Sequence, residues 1–570
     1  MGLLVLASSI LAAIMELLGV SVIVPLINAL VNPNGLYNNA ILGGFLSSYN
    51  IEIGTTEYGR NKLVVIVFSG VITIYLLKNI FFVFNTWLKN KYAFKVQREI
   101  SVTMMRKYIN NGYSFFLNHN YSELRQGIDG DVRALYYIIS GILQIFTQTL
   151  IVGLIGIYML LEDIELAIGA ILTGLFCVFF VLGIFRRKMT ENGKKSRELA
   201  IKAEKTMEET LHGIKLVLLS HKEHFFIEKF NREIVMRNRI DSAITTGSEI
   251  PMYIIEAISI SGIMVSLCVR ILSMGNPELY VAVLGSFAVG VFRILPAIGK
   301  ISSSVNGIIS SAPGLNSIYQ NIIIEKNDSL IESSERLCDI EMDFSNKIEV
   351  KSVSFKYSGS NRIILNNVSF TIKRGESIGI IGESGAGKST LADILLGLLA
   401  PSSGEVLVDN INISYLYKGR WKGIGYVPQT IFLTDSTIAE NVAYGVLNGD
   451  IDRNKVESAL DRANVFDFIK SLPLGIDTVV GDRGVRLSGG QRQRIGIARA
   501  LYTTPDIIIL DEATSALDNE TEKAVMDAIE KLQGTITMVI IAHRLSTIRK
   551  CDRVLEIKNG HIKERKVEDL

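Results

Sequence analysis

The fold class this sequence predicts is an α-helical six-span transmembrane domain fused to an α/β phosphate-loop domain. Three observations predict it. Of 570 residues 48% are hydrophobic and the mean hydropathy is +0.32, high for a soluble chain of this size, and the long apolar runs all lie before residue 320. From about residue 345 short β-rich runs (IEVKSVSF, SIGII, IGYVP, IIIL, MVII, RVLEI) alternate with helical ones, the pattern of an α/β layer. Between two of those elements stands Gly382-Glu383-Ser384-Gly385-Ala386-Gly387-Lys388-Ser389, a complete G-x-x-x-x-G-K-[ST] loop. The boundaries drawn are 1–320 for the membrane domain, 321–344 for a linker and 345–570 for the nucleotide-binding domain.

Runs long enough to cross a bilayer occur at 2–31, 62–88, 134–161, 164–185, 251–273 and 279–298. The first is too long for a signal-peptide core and lacks a basic leader, so it reads as a retained span. Six spans put both ends on one side. Lys89, Lys91, Lys95, Arg98, Arg106 and Lys107 follow the second span, and Arg186, Arg187, Lys188, Lys194, Lys195 and Arg197 follow the fourth. The opposite connections at 162–163 and 274–278 hold no Lys or Arg, and 32–61 holds only Arg60. The positive-inside rule makes the basic connections, and the nucleotide-binding domain with them, cytoplasmic in an inner or plasma membrane. Segments 89–133 and 186–250 read as helical continuations of the spans, with turns around Asn118–Glu123 and Gly213–Glu223 placed to meet the ATPase half. Tyr37–Tyr49 has near-helical apolar spacing without charge and reads either as an interfacial helix or as a packed loop.

Charges at membrane depth are costly unless paired or wet. Lys78 and Arg270 sit near span ends, where a long side chain can reach the interface. Arg293 lies deeper and precedes Pro296, a kink site; Glu16 is equally deep in the first span, and Glu256 lies in the fifth. Two readings of Glu16, Lys78 and Arg293 stay open: an internal ion pair, or a cationic cavity wall for an anionic head group. Net charge is only +2, which gives no reading as a nucleic-acid binder. Cys177, Cys268, Cys338 and Cys551 are scattered, without metal-ligand spacing, and read as free thiols.

In the second half the phosphate loop lies between strand Ser377–Ile381 and helix Ser389–Leu399, where backbone N–H groups and a helix N-terminus converge on phosphate. Lys388 reaches the β- and γ-phosphates and the Ser389 hydroxyl is a ligand for Mg2+, with Thr390 beside it. The apolar strand Ile507–Leu510 delivers Asp511 and Glu512 to opposite sides. Asp511 suits Mg2+ and Glu512 suits the attacking water as general base.

Together with Leu487-Ser488-Gly489-Gly490-Gln491, this half resembles the ATP-binding-cassette (ABC) ATPases. The resemblance implies that Tyr357 stacks on adenine, that Gln429 senses the metal and the attacking water, and that His543 contacts the γ-phosphate. It identifies Ser515-Ala516-Leu517-Asp518 as the D-loop and Thr478–Gly484 as an exporter-type segment, with Asp482 where glutamate is usual. In that superfamily LSGGQ closes on ATP held by the phosphate loop of another cassette. One chain carries one of each, so a second copy is the implied partner.

The whole chain is similar to half-size exporters of the multidrug and lipid-flippase type, and most like bacterial flippases for lipid-linked oligosaccharides. The finer likeness rests on ELLGVSVIVPLI, Lys78 in LLKNIFF, FRILPAIGKI and the candidate external helix. It implies ATP-driven movement of an amphipathic, anionic lipid-linked substrate from the surrounding membrane lipid, with Lys78, Arg270 and Arg293 nominated to hold a pyrophosphate. A drug, lipid or peptide exporter is the alternative. Most such exporters carry an elbow helix ahead of the first span, and none is legible here.

Overall fold

The computed structural model describes residues 1–23, 57–162, 164–273, 281–323, 344–413, 423–512, 519–542 and 548–566. It divides into two compact units: Met1–Asn111 with Asn118–Lys326, and Gly112–Leu117 with Asn327–Leu570. Tyr37–Tyr49, Ser515–Asp518 and His543 fall outside the described residues, as does the side chain of Arg270.

The first unit is helical. Its elements are α1 (Gly2–Ser21), α2 (Glu57–Asn110), the short α3 (Tyr113–Asn118, mostly in the second unit) and α4 (Tyr121–Arg125), followed by a π-helical turn over Gln126–Asp131. Then come α5 (Val132–Glu162), α6 (Ile164–His212), α7 (Ile214–Leu219), α8 (Glu223–Ser273) and α9 (Val281–Ile323). Among the described residues, Gly2–Ser21, Val64–Asn110, Tyr121–Glu162 and Phe287–Asn321 are long and apolar enough to span a membrane. The other two expected spans fall within α6 and α8, whose side chains are described only in part. In hydrocarbon only a helix satisfies its own backbone, which is why apolar composition and helix coincide here. At 54 residues α2 is ~80 Å long, well beyond bilayer thickness.

Ala13, Val20, Ile151, Ile155, Ile255, Phe287 and Val291 pack where α1, α5, α8 and α9 meet. Ile72, Leu76, Leu77, Ile80 and Val83 of α2 stay exposed, a face suited to lipid tails. Polar side chains stitch helices together: Ser8 donates to Asn85 Oδ1 at 2.9 Å and Asn306 donates to the Gly247 carbonyl at 3.2 Å. Pro296 and Pro313 lie inside α9, and Pro251 inside α8.

The first expected turn, around Asn118–Glu123, is present, since the chain leaves helix at His119 and Asn120 between α3 and α4. A further break comes earlier in the chain. Gly112, at φ +77°, adopts the left-handed conformation that stops helices, so α2 ends at Asn110 and the chain breaks there. The second expected turn holds α7, bounded by Gly213 and by His221 at φ +51°. Leu211, Leu216, Leu218 and Leu219 there are exposed.

The second unit carries two sheets. Strands β1 (Lys347–Phe355), β2 (Leu365–Lys373), β4 (Ser403–Val408) and β5 (Ile411–Asn412) form an antiparallel sheet in the order β2-β1-β4-β5. Strands β3 (Ser377–Gly382), β6 (Ile424–Val427), β7 (Ile507–Asp511), β8 (Thr537–Ile541), β9 (Arg553–Lys558) and β10 (His561–Arg565) form the other, ordered β10-β9-β3-β8-β7-β6. All its pairings are parallel except β9 with β10. The uninterrupted burial of β7 and β8 explains why they are apolar except for Asp511 at the end of one and Thr537 at the start of the other. Helices α10 (Lys388–Leu395), α11 (Ile438–Val442) and α14 (Gly489–Tyr502) carry or support the motifs, with α12 (Arg453–Arg462) and α13 (Phe466–Lys470) between the last two.

Candidate nucleotide site and membrane cavity

The phosphate loop leaves the carboxyl end of β3 and enters α10, where ligands bind in parallel α/β sheets. Two of its glycines are steric requirements. A Cβ at Gly382 would stand 2.5 Å from the Ile557 carbonyl oxygen, and Gly387 caps α10 at φ +106°. Lys388 is buried and donates to the carbonyls of Gly382 at 2.9 Å and Glu383 at 3.1 Å. Burial lowers its pKa against the opposing pull of Glu512 and Asp511. The ammonium is therefore held by the very loop that wraps phosphate.

Tyr357 is half-buried, edge-on to Phe355 at 5.0 Å, and its hydroxyl lies 3.0 Å from Thr390 Oγ1. Asp511 ends β7 in a buried position, and Glu512 follows in a left-handed backbone conformation at φ +48°. That turn sends the second carboxylate away from the strand. Gln429, just past β6, donates from Nε2 to Glu512 Oε2 at 2.6 Å. Ser389, Asp511 and Gln429 offer only oxygen donors, the hard set that fits Mg2+ sharing its coordination with phosphates and water.

Ser488 and Gln491 have a local structural job as well as their place in LSGGQ. Ser488 is the N-cap of α14, accepting from the Gln491 N–H at 3.3 Å, while Gln491 Oε1 accepts from the Ser488 N–H at 2.8 Å. This capping box leaves the helix N-terminus at the surface, with Ser488 and Gly489 exposed, and Gly490 tucked behind. In the segment Thr478–Gly484, the Thr478 carbonyl accepts from Ile438 N at 3.0 Å and Val480 N donates to Ser436 at 3.1 Å.

Sequence reasoning missed Asp393 and Asn441. Burial, with Asp511 adding to it, pushes the Asp393 carboxyl up to about 6. A lone carboxylate in the apolar run LADILLGLL, one turn after Ser389, was the available signal. Asn441 is fully buried and fully used. Its Oδ1 accepts from Thr434 N at 3.0 Å and Arg499 at 3.0 Å, and its Nδ2 donates to the carbonyls of Thr434 and Thr437, each at 3.1 Å. Arg499 also donates to the Phe432 carbonyl at 2.7 Å. The loop after Gln429 is thereby fixed to the helix that carries LSGGQ.

In the membrane unit Glu16 holds two cations, Lys78 at 3.1 Å and Arg293 at 3.3 Å. Lys78 is 2% exposed and also lies over the Tyr75 ring at 4.6 Å. Arg293 is 40% exposed at its side chain. Of the two cations only Arg293 can reach a ligand without unpacking. A separate cavity of about 890 Å³ has a mixed wall, with hydroxyl and amide side chains such as Thr86, Ser140 and Gln144 and charged ones such as Lys89, Asp131, Arg197 and Glu249 set into carbon surface. Lys89 donates to Thr147 at 2.6 Å beside it.

Comparison with known proteins agrees with both halves. The ABC transporter family matches residues 365–515, and the ABC transporter transmembrane region matches 3–274. An "ATP-dependent lipid A-core flippase" of Burkholderia pseudomallei is 32% identical over 475 residues, covering 82% of this chain and 78% of the relative. The "Heterocyst differentiation ATP-binding protein HepA" of a Nostoc species is 32% identical over 455 residues, covering 79% and 73%. The solved "Structure of a bacterial Atm1-family ABC exporter with ATP bound" matches the fold with a TM-score of 0.79 at 21% identity, covering 99% of this chain and 95% of that one. Phosphate loop, Asp511-Glu512 strand end, capped LSGGQ helix and membrane-length helices stand in one chain, which belongs to the half-size ABC exporters, transporters that couple ATP hydrolysis to movement across a membrane.

Proposed function

We propose that the chain flips a lipid-linked, polar head group, most simply a lipid-linked oligosaccharide or other polyprenyl-pyrophosphate glycan, out of the cytoplasmic leaflet of the inner membrane. The observation that carries this reading is the composition of the cavity wall. Hydroxyl, amide and charged side chains, among them Ser140, Gln144, Asp131, Arg197 and Glu249, interrupt a wall that is otherwise carbon, which suits an amphipathic substrate with a hydrogen-bonding head group. Lys89 at its edge supplies positive charge, and Arg293 of the Glu16 cluster supplies more at the membrane level. The exposed apolar face of α2 offers lipid tails a path outside. The names of the Burkholderia relatives point the same way.

In the ATPase half, phosphates entering the loop replace the Gly382 and Glu383 carbonyls as partners of Lys388. Tyr357 supplies an adenine-stacking face. Ser389, Asp511 and Gln429 would hold Mg2+, which supplies neutralisation of the phosphate charge. Glu512 takes the proton of the attacking water, and Gln429, already bonded to it, orients both. The exposed, capped N-terminus of α14 is presented for a second copy's nucleotide, so we infer a homodimer with two composite sites. The exposed leucines of α7 are an apolar face for that second copy to cover.

The test is ATPase activity and flipping in proteoliposomes with single candidate substrates. Stimulation by a polyprenyl-pyrophosphate glycan, lost in Arg293→Ala and weakened in Lys89→Ala, supports the reading. Stimulation by hydrophobic cations alone, unaffected by either change, replaces it with a drug exporter.

A further inference from the structure

Tyr357 stands in the loop between β1 and β2 of the antiparallel sheet, while Thr390 lies in the first turn of α10, just past the phosphate loop. The two are 33 residues apart in the chain, yet their hydroxyl oxygens meet at 3.0 Å. One hydrogen bond therefore joins the ring read as the base platform to the helix turn that receives phosphate. Thr390 is 6% exposed, so water cannot readily replace Tyr357 as its partner.

The ring is braced on other sides as well. Phe355 stands nearly perpendicular to it, at an interplanar angle of 88°. Ser360 N donates to the Tyr357 carbonyl at 3.1 Å, and Ile364 N donates to the Phe355 carbonyl at 2.9 Å, which ties the loop back onto the end of β1. Ile364 also packs on the phosphate loop, its Cγ2 2.9 Å from where a Cβ at Gly387 would stand. A phenolic hydroxyl lies in the ring plane, at the rim, so its bond to Thr390 leaves the ring face for stacking. A platform held in advance spares the ligand the cost of ordering it; one mobile side chain weakens binding about three- to tenfold.

We propose that Thr390 is a positioning residue for base recognition: through the Tyr357 hydroxyl it fixes the spacing between base platform and phosphate loop, so that a nucleoside triphosphate is favoured over a bare polyphosphate. The idea rests on Tyr357 being the adenine platform, and its test separates the two. Binding of ATP and of inorganic tripolyphosphate to the full-length protein in nanodiscs is measured by calorimetry with Mg2+ present. The ratio of the two dissociation constants is the readout, because a change felt only by the phosphates cancels from it. Tyr357→Phe keeps the ring without the hydroxyl, and Thr390→Val keeps the shape without the hydroxyl; each cuts the preference for ATP about three- to tenfold. The double variant cuts it no further than either single one, as two groups acting through one bond must, and Thr390→Ser keeps the parent ratio to within about twofold. Three results overturn the proposal: an unchanged ratio in Tyr357→Phe, a double variant showing the product of the single losses, or Thr390→Val weakening ATP and tripolyphosphate alike. A parent-like ratio in Tyr357→Leu, which removes the ring altogether, would instead refute the platform reading.

Discussion

Gln429 Nε2 lies 2.6 Å from Glu512 Oε2, so the second residue past β6 and the first past β7 share one hydrogen bond at the catalytic edge of the sheet. The left-handed backbone at Glu512 fixes the direction in which that carboxylate leaves the strand end. Replacing Glu512 with Gln keeps size and hydrogen bonding but removes the base. General-base catalysis contributes about 10²–10⁴-fold, so ATP turnover in Glu512→Gln should fall by at least ~100-fold, with ATP affinity intact by equilibrium binding. Unchanged steady-state hydrolysis would remove Glu512 from the base role.

The phosphate loop, the DE strand end and LSGGQ were legible because each is a contiguous run whose chemistry forces its context: strand, turn, helix N-terminus. The π turn and the Asn441 network were not. Asn441 gathers Thr434, Thr437 and Arg499, the last from 58 residues away, and no local pattern announces such a convergence. The Glu16 cluster was half legible. Charge at membrane depth flagged all three residues, and the open choice between ion pair and anion site is answered by burial for Lys78 but not for Arg293, which is both paired and half-exposed.

That asymmetry gives a stability prediction. Removing one partner of a buried ion pair costs about 3–5 kcal/mol, whereas replacing both with apolar groups is often neutral. Glu16→Gln leaves Lys78 buried without its carboxylate and should lower the melting temperature in detergent clearly. The double change Glu16→Leu with Lys78→Met, which makes both buried positions apolar, should recover most of the loss. Equal melting temperatures for Glu16→Gln and the parent protein would mean that Lys78 relocates to water and that the pair contributes little.

Ser488 has two separable roles, and charge divides them. Asn or Asp at an N-cap serves about as well as Ser, while Ala costs about 1 kcal/mol. Ser488→Asp should therefore keep the fold and thermal stability, yet abolish ATPase activity by setting a carboxylate where a second copy's γ-phosphate must approach. Ser488→Asn, neutral and capping, should retain measurable turnover. Activity in the Asp variant close to that of the Asn variant would count against the composite site.

Cys551 supplies a pH test outside the nucleotide site. It is buried beneath β3, with its Sγ 3.4 Å from where a Cβ at Gly379 would stand. Burial, with Asp552 adding to it, raises its pKa from 9.0 to about 12. The native state thus keeps a proton that the unfolded chain releases above pH 9. Below that value the thiol contributes no pH dependence; between pH 9 and about 12 unfolding gains from ionisation, and native stability falls as pH rises. Cys551→Ser should remove that part of the alkaline decline in denaturant titrations of the full-length protein. At pH 8 the native thiol should resist iodoacetamide and react only after unfolding. Rapid alkylation of Cys551 in the folded protein would show that the core around β3 opens far more readily than its packing implies.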